Sequence, residues 1–117
     1  MFARVTTYHA DEDADRLLEG FKGTIGPLQL MEGFSHGYFM VDRNTRAAMS
    51  MTVWETGDAL SASAESAEVR RWQRVEAGGA SIVSVDNYEI NLIAAAPGVE
   101  PAHRIAEPLE EPGEHLL

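Results

Sequence analysis

The sequence predicts an α+β domain with element order βαββαβ and a single four-stranded antiparallel sheet, and three observations predict it. Runs rich in β-branched and aromatic residues recur along the chain. Two segments with apolar residues at three- and four-residue spacing separate them. The central pair of runs is joined by only Arg43, Asn44 and Thr45, a connection too short for anything but antiparallel strands.

Each element has its own reason. Residues 2–8 (FARVTTY) read as the first strand. Asp11, Glu12, Asp13 and Asp15 place negative charge where a helix N-terminus stabilises it. Ala14, Leu17, Leu18, Phe21 and Ile25 then form one stripe of an amphipathic helix. Gly23, Gly26 and Pro27 weaken its end, with a short helical turn expected over 28–31. Strands two and three are expected over 34–42 and 46–55, with Asn44 taking any positive φ in the turn. Asp58 is the expected N-cap of a second helix over 59–77, with Leu60, Ala64, Ala67, Val75 and Trp72 on its inner side. Gly78 and Gly79 end it, and 81–93 (SIVSVDNYEINLI) is the fourth strand. The split order is that of ferredoxin-like domains.

The central hairpin carries the strongest statement about assembly. Side chains alternate across a strand, so Phe34, His36, Tyr38 and Met40 are expected on one face and Phe39 and Val41 on the other. Met49, Met51 and Val53 likewise oppose Ala48, Thr52 and Trp54. Both faces are apolar, and helices cover only one. The second face calls for another copy of the chain.

The chain has 117 residues, 44% of them hydrophobic, enough for one domain with a core. It divides into a domain over 1–93 and a Pro-rich, acidic tail over 94–117, expected either loose or packed on a partner subunit through Val99, Ile105, Leu109, Leu116 and Leu117. Nineteen acidic against nine basic side chains give a net charge of −10, which opposes nucleic acid and anionic membrane as partners. No apolar run is long enough to span a bilayer, and strand-like sequence begins at Phe2, so the expected location is the cytoplasm. Cysteine is absent, which excludes thiolate chemistry and Cys-ligated metals. His9, His36, His103 and His115 are scattered, and no metal or other cofactor is expected.

Several of these residues carry a resemblance: Gly33 and Phe34 before strand two, the Asp42, Arg43, Asn44, Thr45 turn, Thr52, Val53, Trp54 and Glu55 ending strand three, Asp58, Ala59 and Leu60 entering the helix, and Asn87, Tyr88, Glu89 and Ile90 in the last strand. Over about 2–93 the chain resembles the antibiotic biosynthesis monooxygenase-like members of the dimeric α+β barrel superfamily. The resemblance implies two four-stranded sheets facing each other, with helices outside. Related proteins include cofactor-free oxygenases of aromatic polyketides, haem-degrading enzymes, isomerases and proteins without known activity, so the fold does not fix the function. Haem-degrading relatives use a histidine on the second helix, and none occurs over 59–77.

Candidate chemistry is sparse. His36 is the candidate base, against a structural histidine at the interface rim. Asn87 is the candidate donor to a carbonyl or enolate, against a polar residue on a solvated edge. Tyr38, Met49, Met51, Trp54 and Trp72 are the candidate substrate-binding residues, against ordinary packing. Two functions follow. One is a homodimeric cofactor-independent mono-oxygenase for a small aromatic or polyketide-like molecule. The other is a non-catalytic homodimer that binds a small ligand or serves a structural role.

Overall fold

The computed structural model describes residues 1–11, 13–76 and 79–101. Its elements are β1 (Phe2–Ala10), α1 (Ala14–Gln29), β2 (Phe34–Val41), β3 (Ala47–Trp54), α2 (Gly57–Ala62), α3 (Ala64–Glu76) and β4 (Ala80–Glu89). The strands form one sheet in the order β2-β3-β1-β4, with every neighbouring pair antiparallel. This is the predicted α+β, ferredoxin-like arrangement.

The helices lie on one face. Leu17 and Phe21 of α1 pack with Tyr8, Ala10 and Ala48 of the sheet, with Phe39 and Val41 against them. Leu28 and Leu60 enclose Trp54, with Phe2, Phe34 and Phe39 at its margin. Trp54 is fully buried, and its ring meets Phe34 edge-on at 5.4 Å between centroids. Tyr8 meets Phe21 in the same way at 5.6 Å.

Several local details differ from the sequence expectation. Helix α1 is continuous through Gly23, Gly26 and Pro27 to Gln29, because its buried side chains hold both halves. Its N-cap is Asp13, whose carboxylate accepts from the Asp15 amide. The second helix is two pieces that meet at Ser63, and it is capped by Thr56, not Asp58; the Thr56 hydroxyl accepts from the Ala59 amide at 3.0 Å. Positive φ in the hairpin connection falls on Arg46 (φ 64), while Asp42 accepts from the amides of Asn44 and Thr45. Strand β4 ends at Glu89, short of the predicted 93.

One register change decides which side chains share a face. Phe34 pairs with Trp54 but His36 pairs with Val53, so a bulge lies at Ser35. The bulge turns Phe34 to the helix side and leaves His36, Tyr38 and Met40 on the bare side. The expectation that all four share a face is therefore corrected. The tail residues Ile105, Leu109, Leu116 and Leu117, with His103 and His115, lie outside the described residues, as does Ala77 at the predicted helix end.

Candidate functional site

Register places the side chains of Phe2, Arg4, Thr6 and Tyr8 of β1 beside Trp54, Thr52, Ser50 and Ala48 of β3 on the helix side. Arg4, Thr6, Ser50 and Thr52 are all buried, so the centre of the covered layer is polar. Around this centre lies a cavity of about 30 Å³, lined by Arg4, Thr6, Tyr8, Ser50 and Thr52 from the sheet and by Arg70 and Arg71 from α3. Leu28 and Phe39 supply its apolar wall. The space suits about two waters, or the head of one small ligand.

Arg4 organises this region. It is 6% exposed. Its Nη1 donates to Ser63 Oγ and its Nη2 to the Leu60 carbonyl, both at 2.9 Å. Ser63 Oγ in turn donates to the Leu60 carbonyl at 2.7 Å. These bonds tie β1 to the break between α2 and α3. Burial, followed by the like charges of Arg71 and Arg70, pushes the Arg4 guanidinium below the usual arginine range. Arg70 donates to Ser66 Oγ at 2.6 Å and contacts Met31 Sδ.

The sequence candidates do not converge on this cavity. His36 and Tyr38 lie on the bare face with their rings stacked, centroids 6.4 Å apart, and Ser35 Oγ is 2.8 Å from His36 Nδ1. Met49 and Met51 share that face, as cross-strand partners of Met40 and Tyr38. Trp54 is across the sheet from them and buried in the core, where Nε1 donates to Thr52 Oγ1 at 3.0 Å. A pocket lined jointly by Tyr38, Met49, Met51 and Trp54 is therefore not formed, because strand alternation splits the set. Trp72 is 58% exposed on α3. Asn87 is exposed on edge strand β4, the cross-strand neighbour of Arg4 on the same side of the sheet. Among the described residues no group of His, Asp or Glu side chains could hold a metal.

Arg4, Arg70 and Arg71 were not singled out by the sequence reading. A signal for Arg4 existed: it sits in phase with Phe2, Thr6 and Tyr8, where a charge is out of place on a core-facing stripe. Two larger hollows lie at the surface. One of about 360 Å³ lies between α1 and the hairpin, beside the Asp15–Arg43 ion pair. The other, of about 330 Å³, is edged by Glu32, Glu55 and Asp58. Neither is lined by buried polar side chains as the Arg4 cavity is.

Among the described residues no helix is long and apolar enough to cross a membrane. No family model matches the sequence, and no curated protein is similar to it. Solved structures do share its fold. The cofactor-independent oxygenase SnoaB from Streptomyces nogalater superposes with a TM-score of 0.64 at 13% identity, over 79% of this chain and 94% of that one. A candidate antibiotic biosynthesis monooxygenase from Deinococcus radiodurans gives 0.67 at 13% identity, over 84% and 100%. Another from Chloroflexus aurantiacus gives 0.58 at 14%, over 83% and 98%. The likeness to antibiotic biosynthesis monooxygenase structures is thus one of fold.

Proposed function

We propose that the protein is a homodimeric, cofactor-independent oxygenase of a small electron-rich molecule, which binds under the helices against Arg4. The observation that carries this reading is the buried polar cavity of Arg4, Thr6, Tyr8, Ser50, Thr52 and Arg71, on a fold shared with a cofactor-independent oxygenase. Guanidinium and hydroxyl donors favour the deprotonated form of a bound phenol or enol and so lower its pKa. The resulting carbanion is electron-rich enough to reduce oxygen without a cofactor. The balance is R₂CH₂ + O₂ → R₂C=O + H₂O, with the substrate as the reductant.

In this reading the bare face of the sheet is covered by a second copy. Tyr38, Met40, Met49, Met51 and Tyr88 line that face, with Met40 45% and Tyr88 55% exposed. An apolar layer of this kind marks an interface. His36 and Tyr38 would then lie inside the dimer, where His36 serves as base only for a substrate held between the sheets. Asn87 flanks the Arg4 side and serves as a donor there. We take the protein to work in the cytoplasm, a reading that rests on the sequence expectation.

A second reading, binding without catalysis, draws on the cavity's small volume of about 30 Å³. A multi-ring substrate needs α2 and α3 to move outward, whereas a single ring can leave its body at the mouth. One experiment separates the readings. Oxygen uptake is followed with the full chain and a panel running from single-ring phenols and 1,3-diketones to anthrone-type compounds. The oxygenase reading expects protein-dependent uptake, lost in Ser50→Ala combined with Thr52→Val and unchanged in His36→Ala. Uptake lost in His36→Ala moves the reaction between the sheets. Binding with no uptake across the panel leaves the second reading.

A further inference from the structure

We infer that the cavity under the helices takes a carboxylate: its ligand is a small organic acid whose charged head sits between Arg4 and Arg71, with the rest of the molecule at the mouth. The inference rests on the reading above in taking that cavity as the ligand site, but it makes the group held at Arg4 a carboxylate and moves the oxidisable phenol or enol to the mouth.

Arg4 carries a charge without a counter-charge among the described residues. A buried guanidinium remains protonated and ordinarily has a carboxylate beside it, because an uncompensated buried charge costs several kcal/mol. Arg4 is buried in a chain with net charge −10, so carboxylates are plentiful. None pairs with it among the described residues; its partners are the neutral Ser63 hydroxyl and Leu60 carbonyl. The charges that act on it are like charges, Arg71 and Arg70. Two of its five N–H groups are engaged in this way, and no buried side-chain nitrogen or oxygen among the described residues lacks a partner. What is left over is charge, and a bound anion supplies it.

Three further features fit. Thr6, Ser50 and Thr52 add hydroxyl donors to the same wall. The volume fits a carboxylate head but not a ring. The guanidinium fork matches a carboxylate in two parallel bonds, which a neutral carbonyl cannot repeat. The acidic exterior works against indiscriminate anion uptake, so binding here needs the local cluster.

The competing account makes Arg4 a strut that fixes the α2–α3 break and nothing more. Titration of the full chain with benzoate and with its uncharged amide, benzamide, decides between them. Amide shifts are followed by heteronuclear NMR at constant ionic strength. We expect benzoate to bind at least about tenfold more tightly than benzamide, with shifts centred on β1, Ser50, Thr52 and α3. Arg71→Gln, which leaves the strut intact, is expected to weaken benzoate about tenfold and benzamide little. Arg4→Lys keeps the charge but loses the fork, and is expected to weaken benzoate as well. Equal affinities, no binding, or shifts that ignore Arg71→Gln overturn the carboxylate assignment. Oxygen uptake on neutral enols without benzoate preference sinks this inference and leaves the oxygenase. Benzoate preference without uptake on any substrate does the reverse.

Discussion

The face of the sheet under the helices and the face without them differ in what they hold at their centres. The face under the helices is polar at its centre, with Arg4, Thr6, Ser50 and Thr52 buried between Tyr8 and Trp54. The face without helices is apolar, with Val5, Tyr38, Met40, Met49 and Met51, while Ala3 and Val53 at one end of it are already buried within the single chain. Burial of apolar area stabilises at roughly 25 cal/mol per Å², so packing alone would put methionine inside and arginine outside. The polar centre under the helices and the methionines on the other side are the two places where packing alone does not account for the residues. On the proposed function, the bare face keeps its apolar side chains for a second copy of the chain, and the covered face keeps polar ones for a ligand.

The largest effect is expected where the covered face is still an ordinary core. Trp54 is enclosed by Leu28, Leu60 and Phe34. Trp54→Ala removes the ring and leaves a cavity, at a cost of about 3–5 kcal/mol. Its hydrogen bond to Thr52 is lost as well. Denaturant unfolding measures it. A loss below about 1 kcal/mol would mean that the aromatic rim does not hold the helices to the sheet.

The bare face breaks differently. Met51→Asp puts a carboxylate at the centre of that face, opposite Tyr38. The dissociation constant of the proposed dimer is expected to rise about a hundredfold, roughly 3 kcal/mol, while the monomer's own unfolding changes little. Sedimentation velocity at micromolar concentration reads it. A wild-type chain that sediments as a monomer would remove the partner from this face altogether.

A smaller loss is expected at the turn between α1 and β2. Gly33 has φ +77, and a Cβ built there would collide with Ala59 Cβ at the start of α2. Its carbonyl accepts from the Glu55 amide at 2.8 Å, closing the chain onto the end of β3. Gly33→Ala therefore adds backbone strain to a steric clash, about 2 kcal/mol in sum. Thermal unfolding checks it. An unchanged midpoint would mean that α2 is free to shift away from the sheet.

Periodicity made the architecture legible. The stripe of Leu17 and Phe21, the Arg43–Thr45 connection and the terminal glycines mark the elements, and alternation along β3 sorts Met49 and Met51 from Trp54. What alternation does not show is an inserted residue. The bulge at Ser35 swaps Phe34 to the other face, and nothing in the sequence Phe34, Ser35, His36 announces it. Caps were legible in type but not in position: Thr56 and Asp58 are both competent, and the chain uses Thr56. The site was least legible. Arg4 is far in sequence from the neighbouring Arg70 and Arg71, and they line one cavity only because α3 lies over the sheet. His36, Asn87 and Trp72 were conspicuous as residue types, and the structure sets them on three different surfaces.

The smallest expected effect belongs to the rim, where neither face is involved. Arg43 Nη2 donates to Asp15 Oδ1 at 2.8 Å and holds its carboxyl below the usual carboxylate range, first by that hydrogen bond and then by charge. The Thr45 and Asn44 amides hold the Asp42 carboxyl down in the same direction. Both folded values lie below the unfolded one, about 3.9 for aspartate. Their contribution is thus fully present above that pH and is lost as pH falls through the folded values. Both groups are solvent-exposed, so the effect is small, and that of Asp15 shrinks further in salt. Asp42→Asn keeps an oxygen acceptor for the two amides and removes only the charge. The stability gap between wild type and Asp42→Asn should be constant from pH 7 to about 4 and close below it, with little response to 1 M salt. The gap for Asp15→Asn should close over the same range and already be reduced by salt at pH 7. A gap that is independent of pH would mean that the turn is held by geometry and not by its charge.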